Sequence, residues 1–476
     1  MTLSALSPAV ESPARTERGT GELRRWIDDR LRHAERAGRE TLALSVTAPR
    51  TEPEALFAVV PAGIGFFWHP PGGPAVAGVG AAYRVQLAGE GRFAQLAEEA
   101  SRVWQGLTAA SHPGCETAPP PRFYGGLAFD VGAADREPWT EFGDGCFTLP
   151  RLLYARGGDS ASLTVTVRLA EETTAAALCD EIESLRAALA AWHPAPSAAP
   201  SVLEVRRPRR SEFAARVEAI RAAIAGGSFS KIVAAGCSRA RLAAALDPGD
   251  VLRRLSQGGL TPAGSGVTRY AFRRHASTFL GATPERLIAR HGPAIASEAL
   301  AGSIASGAEH GARLLASDKD LREHQLVIDS IVRRLRPLTE RLEVAERPRI
   351  QELRDVFHLH TPISGVLRRP RHVLELVEEL HPTPAVGGVP TGAAVRWIRE
   401  HEAEPRGWYA APVGWFDAAG DGEFAVALRS CVLNSGSGGV EAFIYAGAGI
   451  VRDSDPDLEY TETELKKQTL LTALGC

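Results

Sequence analysis

Glu323 and Glu462 are carboxylates standing where a helical pattern calls for apolar side chains. In the stretch Asp318 to Leu335 the apolar stripe runs Val327, Ile331, Leu335, and four residues back along it is Glu323. In Pro456 to Lys467, Leu458 and Leu465 lie seven apart and Glu462 falls between them, with Glu459 and Lys466 at i−3 and i+4. An inward carboxylate needs a cation or a proton. Two such carboxylates are what a Mg²⁺ site built from protein carboxylates and substrate oxygens would use. The same C-terminal pattern also reads as a capped surface helix laced by Glu–Lys pairs.

Other residue types point to proton transfer and anion binding. Lys231 opens the apolar run Lys231-Ile-Val-Ala-Ala235. A lysine there is ordinarily exposed, but one buried near a cation can act as a general base. Glu285 follows Thr283-Pro284, where proline forbids a ladder bond. Gly302 and Ser303 end the run Ala299-Leu-Ala-Gly-Ser303 and offer donors to an oxyanion. Arg429 sits in the apolar stretch Glu423–Cys431, and a buried arginine wants a carboxylate, which a substrate can supply. Gly447 and Gly449 punctuate Tyr445-Ala-Gly-Ala-Gly-Ile-Val451, as where backbone approaches another group closely. His358 and His360 share a strand face, but no cysteine or third histidine is placed to complete a zinc site. His381-Pro-Thr-Pro-Ala-Val-Gly-Gly388 reads as a rigid loop suited to lining a pocket.

The elements that must position these groups are mixed. Residues 1–20 are rich in Ser, Pro, Ala and Glu and read as a disordered tail. Helices are expected over 22–39, 93–107, 171–192, 211–225 and 318–335. Strands are expected over 42–46, 55–60, 63–69, 76–85, 122–130, 151–154, 162–169, 231–235, 279–289, 297–304 and 356–365. Residues 406–415 and 423–431 read as a hairpin about the Asp421-Gly422 turn. The Pro- and Arg-rich stretch 193–210 reads as a solvated connector between an N-terminal part, 21–192, and a catalytic region, 211–476. No strict βαβ rhythm and no dinucleotide or P-loop glycine fingerprint appears, so the expectation is an α+β architecture of largely antiparallel sheets covered by helices.

Composition narrows the function classes. With 44% hydrophobic and 23% charged residues the chain is ordinary globular material. Its net charge of −3 gives no general attraction for nucleic acid or an anionic membrane, so an anionic substrate needs local positive charge. Six scattered cysteines without CxxC spacing read as reduced thiols, and the absence of an apolar span or signal pattern points to the cytoplasm.

In order along the chain, Lys231-Ile-Val, Thr283-Pro-Glu285, Ala299 to Ser303, Glu323-His324, His358-Leu, the 381–388 loop, the 406–431 segment and Ala446-Gly-Ala-Gly-Ile-Val through Lys466 resemble the chorismate-utilising enzymes. That family includes isochorismate, salicylate, anthranilate and aminodeoxychorismate synthases. The likeness covers residues 205–476, with a looser match at Tyr124 to Asp130. It implies a single large fold with two mainly antiparallel sheets, Mg²⁺, and chorismate as substrate. By that resemblance Lys231 is the base that activates water and Glu285 the acid that protonates the departing C4 hydroxyl. Glu323 and Glu462 resemble metal-binding carboxylates, with Glu459 beside them. Tyr409, Arg429 and Lys466 resemble ligands of substrate carboxylates. Gly302, Ser303, Gly447 and His358 resemble residues lining the ring.

Members that use ammonia resemble one another in having glutamine at position 231, so Lys231 implies water as nucleophile and no glutamine amidotransferase subunit. Aminodeoxychorismate synthases carry lysine where Ala301 stands. The 381–388 loop and Gly414-Trp415 favour isochorismate synthase over salicylate synthase, and the resemblance leans to a monomer. One departure is that Ile304-Ala-Ser-Gly, not arginine, follows Ser303.

Overall fold

A computed structural model describes the chain apart from residues 1–12, 62, 171, 195–200, 244–245, 258–265 and 437, and of residues 13–19 only the backbone. Strand pairs run continuously through 21 strands among the described residues, and all pairs are antiparallel except Thr41–Thr47 with Leu107–Ser111. The fold is α+β.

One long strand, Gly145–Gly157, joins the two halves of this ladder. Its first residues pair with Arg122–Leu127 and its last with Ser160–Arg168, while its other edge takes Ala75–Leu87. The two sheets that the resemblance implies are thus contiguous. N-terminal strands also pair with C-terminal ones: Ile64–His69 with Thr268–Arg274, and Arg122–Leu127 with Pro412–Asp417. The chain of pairs then leads from Thr268–Arg274 through Ser277–Thr283, Ser430–Gly436 and Gly439–Ile450 to Lys231–Leu242. Aromatic side chains fill the space between the layers, among them Phe66, Tyr124, Phe147, Trp408 and Phe416, all fully buried.

Several expected elements differ. Residues 55–60 fold as the helix Ala55–Val59, with Ala55, Leu56 and Phe57 buried. An apolar run this short does not distinguish strand from buried helix by periodicity. Residues 1–12 of the expected tail lie outside the described residues, and the first helix, Pro13–Arg36, already includes 13–20. In the expected connector, 195–200 lie outside the described residues, while Val202–Arg206 is a strand paired with Lys231–Leu242. The 406–431 segment is not a simple hairpin: Pro412–Asp417 pairs with Gly422–Val426, the chain breaks, and Ser430–Gly436 pairs elsewhere. Arg429 sits in the break at φ 49°, not inside a strand.

Two helices flank the C-terminal sheet. Asp318–Leu335 is capped by Ser317, whose hydroxyl accepts from Asp320 N, and buries Glu323, His324, Val327, Ile331 and Leu335. Pro456–Leu474 is capped by Asp455, with proline in its first turn. Its buried stripe is not the expected one. Leu458 is exposed, and Glu459, Thr463, Lys467, Leu470 and Leu474 face the sheet. Four-residue steps from Glu459 track the sheet, and Glu462 lies at the flank of that stripe, half-buried.

Candidate active site

The strand beginning at Lys231 pairs with Gly439–Ile450 in a register that sets Gly449 opposite Val233 and Gly447 opposite Ala235. Both glycines matter by their missing side chains. A Cβ on Gly449 would stand 2.3 Å from Glu323 Oε1 and 2.8 Å from Lys231 Cε. A Cβ on Gly447 would stand 2.9 Å from Ala234 O and 3.1 Å from the Tyr409 hydroxyl. The close approach that the glycine pattern predicts is made, and what approaches Gly449 is an ion pair.

That pair is Lys231 Nζ to Glu323 Oε1 at 2.8 Å, with Lys231 fully buried. Burial pushes the Glu323 carboxyl up, but Lys231, then Lys466 and Lys319, outweigh it and hold Glu323 below the ordinary carboxylate range. Two further pairs repeat the motif. Lys466 Nζ lies 2.6 Å from Glu462 Oε1 and also donates to Gly447 O at 3.0 Å. Lys319 Nζ lies 2.9 Å from Glu459 Oε1. The i, i+4 Glu–Lys pair expected on the C-terminal helix is present, facing a cleft.

That cleft is lined by Glu285, Gly302, Ser303, Glu323, His358, Tyr409, Arg429, Gly447, Glu462 and Lys466, together with Ala385 and Val386 of the Pro/Gly loop. Lys231 lies just behind its wall, in contact with Glu323. Glu459 lines an adjoining cleft that shares Ser303, Glu323, Gly449 and Glu462 with the first. The residues singled out by sequence, spread over more than 230 positions, therefore gather in one place.

Glu285 presents the opposite electrostatics. It is 2% exposed, and among the described residues no cation lies within ion-pair distance of it. Burial, and then the charge of Glu298, push its carboxyl up to about 8 against the pull of Lys231 and Lys466. It is held by Thr283, whose Oγ1 accepts from Glu285 N, and by its own carbonyl, which accepts from Val426 N.

Arg429 is buried, and among the described residues no carboxylate lies within ion-pair distance of its guanidinium. Burial pulls it down to about 10, so it remains a cation. It donates to His358 Nε2 at 2.8 Å. Because arginine only donates, His358 carries its proton on Nδ1 and gives it to Ser303 Oγ at 3.0 Å. Burial, then Arg429 and Lys466, drive the His358 imidazolium well below the ordinary histidine range, so the ring is neutral. Gly302, at φ 76°, sits in the register break between Ala301 and Ser303 that turns Ser303 toward His358. His360, on the same strand face as His358, bonds Glu298 Oε2 at 3.0 Å.

Sequence reasoning missed Lys319, Glu298 and the pair Arg406–Glu402. The first two carried no pattern of their own, whereas Glu402 and Arg406 stand at i, i+4 just before Tyr409.

The sequence matches the model of the chorismate binding enzymes over residues 29–475. The chain belongs to that family. It is 37% identical over 406 residues to the salicylate biosynthesis isochorismate synthase of Pseudomonas aeruginosa, covering 83% of this chain and 82% of the relative. It is 33% identical over 361 residues to the isochorismate synthase MenF of Bacillus subtilis, covering 75% of each. The structure is similar to MenF, the menaquinone-specific isochorismate synthase from Escherichia coli, with TM-score 0.75, 27% identity, and coverage of 94% of this chain and 99% of the other. A likeness to anthranilate synthase component I from Streptococcus pneumoniae, TM-score 0.65 at 21% identity, covers 86% of this chain and 92% of the other and speaks to the fold alone. Among the described residues no helix is long and apolar enough to cross a membrane.

Proposed function

We propose that this chorismate-binding enzyme is an isochorismate synthase: water adds at C2 of chorismate as the C4 hydroxyl departs. The observation that carries the reading is one cleft lined by a carboxyl kept protonated, Glu285, and by Glu323, whose partner Lys231 stands just behind the wall and pulls on the Glu285 carboxyl. That is the arrangement an acid and a base need to act on one ring. Identity to named isochorismate synthases supports it.

With its amine free of a proton, Lys231 takes the proton of the attacking water, the ring double bonds shift, and the C4–O bond breaks. Glu285 gives its proton to the departing oxygen, which leaves as water. The net change is an isomerisation, and since substrate and product are close in energy it runs both ways. Arg429, a buried cation lining the cleft with no carboxylate within ion-pair distance among the described residues, takes a substrate carboxylate, with Tyr409 and Lys466 beside it. Gly302, Ser303 and Gly447 leave backbone room for the ring, and neutral His358 fixes the Arg429 fork from behind.

A divalent ion fits the donor chemistry of the acidic wall. Among the described residues no three His, Cys, Asp or Glu side chains form a ready ligand cluster, and each carboxylate has a lysine. Yet burial, and then the Glu462 charge, push Glu459 up to about 7, a repulsion a cation would relieve. Mg²⁺ characteristically takes one or two carboxylates and completes its shell with substrate oxygens and water. Held by Glu323 and Glu462 with Glu459 beside them, it would supply the positive charge that frees Lys231 from Glu323 and neutralises the substrate's ring carboxylate.

The deciding experiment incubates the protein with chorismate and Mg²⁺ and identifies the product. Isochorismate, formed reversibly, is expected. Salicylate with pyruvate would mark a salicylate synthase, and no product would mark a binding homologue. We further propose a cytoplasmic monomer that acts without an amidotransferase partner, its product passing to menaquinone, or to salicylate or another siderophore precursor.

A further inference from the structure

Arg406 is 3% exposed and makes four hydrogen bonds to three parts of the chain. Its Nε and one terminal nitrogen grip both oxygens of Glu402 at 2.7 and 2.6 Å. The same terminal nitrogen donates to Val233 O at 2.8 Å, and the other donates to Val386 O at 2.7 Å. Glu402 Oε1 in turn accepts from Ala235 N at 3.0 Å. The guanidinium lies 4.5 Å over the Phe129 ring.

A buried ion pair is poor evidence of stability by itself, because desolvating two charges offsets their attraction. What distinguishes this one is where its bonds end. Val233 and Val386 both line the cleft. Val233 is two residues from Lys231 on the same strand face. Val386 belongs to the Pro/Gly loop, whose end pairs Gly388 with Ile232 and Val389 with Lys231. Tyr409 follows Arg406 by three residues. The edge between strand and loop carries few ladder bonds, among them Val233 N to Gly387 O at 2.9 Å and Ser230 N to Val389 O at 2.8 Å. On this edge the pairing is only two residues long, while the strand's other edge pairs with Gly439–Ile450 as far as Ile232, so the loop side is the one the clamp secures.

We infer that Arg406 and Glu402 are a positioning pair, clamping the strand that begins at Lys231 to the 381–389 loop and so setting where Lys231 stands relative to Glu285. The inference rests on the proposed chemistry for its kinetic arm but not for its structural one. Arginine is required because one planar fork must reach a carboxylate and two carbonyls together.

The test compares Arg406→Met, Arg406→Lys and Glu402→Gln. Turnover of chorismate is measured with melting temperature and amide hydrogen exchange across the chain. Arg406→Met should lower kcat roughly 10²-fold, the effect of a displacement of about 1 Å, with a much smaller change in KM. Arg406→Lys keeps the charge but not the fork and should recover part of that loss, and Glu402→Gln should lose less still. Exchange should rise in 230–236 and 384–391 and stay unchanged in the strands of the N-terminal half. Wild-type kcat in Arg406→Met, or exchange raised evenly over the whole sheet, would overturn the inference. If the unaltered protein makes no product from chorismate, the functional reading fails, and the exchange pattern alone decides whether the clamp exists.

Discussion

Glu285 and Glu323 are the same residue type, both buried, facing one cleft, yet their carboxyls are pushed in opposite directions. Glu285 is raised to about 8, while Glu323 is held below the ordinary range. Burial acts on both. The difference is an ammonium group 2.8 Å from Glu323, against a neighbouring Glu298 whose negative charge adds to the burial of Glu285. The contrast teaches how one side chain serves as an acid on one wall and as an anion on the other: the neighbour's charge, rather than depth, assigns the role.

The strongest way to break that contrast is to remove the lysine. Lys231→Ala should cut turnover roughly 10²–10⁴-fold and also destabilise the fold by about 3–5 kcal/mol, because Glu323 is left buried without its cation. Adding Glu323→Gln should restore melting temperature but not activity. A single variant that melts with the wild type would mean the pair is not what holds Glu323 charged.

Glu285→Gln should lose a comparable 10²–10⁴ in rate, yet melt at or above the wild-type temperature at neutral pH, since it replaces a carboxyl already neutral there. The two glutamates thereby separate by stability where they agree in rate.

Gly449→Ala acts on the pair from outside. The added methyl group meets Glu323 Oε1 and Lys231 Cε well inside contact distance and must push them apart. Turnover should fall roughly 10²-fold, with Gly447→Ala disturbing the Tyr409 hydroxyl instead. Equal activity in Gly449→Ala would show that the pair tolerates displacement.

A pH series sharpens the other half. Glu285 holds its proton in the folded state between about 4.5 and about 8 and would lose it in the unfolded chain. Its contribution to stability is therefore complete below about 4.5 and lost as pH rises through about 8. Turnover that requires the protonated acid should decline over the same upper limb. In Glu285→Gln both dependences should flatten, and an unchanged upper limb would assign it to another group.

The smallest effect is expected at Lys319, which is half-exposed. Lys319→Met should destabilise less than Lys231→Ala, because Glu459, buried but raised to about 7, can take a proton when its lysine is gone. A large loss of activity there would extend the essential ion pairs from Lys231–Glu323 to Lys319–Glu459.

Much of this was legible in the chain. The inward position of Glu323 follows from the stripe Val327, Ile331, Leu335, because a helix repeats its face every three to four residues whatever surrounds it. The glycines at 447 and 449, and the Thr-Pro break before Glu285, are local constraints that any fold must honour. The C-terminal helix is the exception: its spacing points to Leu458 and Leu465 as the inward residues, whereas Glu459 and Lys467 are the buried ones. A charged side chain enters a core only when its partner, such as Lys319 for Glu459 or Ser238 and Glu464 for Lys467, waits there. Periodicity carries no record of partners far away in sequence. Nor does it place Arg429 in a left-handed break rather than in a strand.

By itself the sequence determined which side chains could carry charge and protons, which backbone positions had to remain bare, and the family motifs that tie them together. Tertiary structure alone decided which carboxylate meets a lysine, which stays protonated, and which arginine lines the cleft. Those outcomes depend on distances between residues scores of positions apart and on the exclusion of water around them. Electrostatic energy grows steeply as distance and dielectric fall, and neither quantity exists until the sheets close.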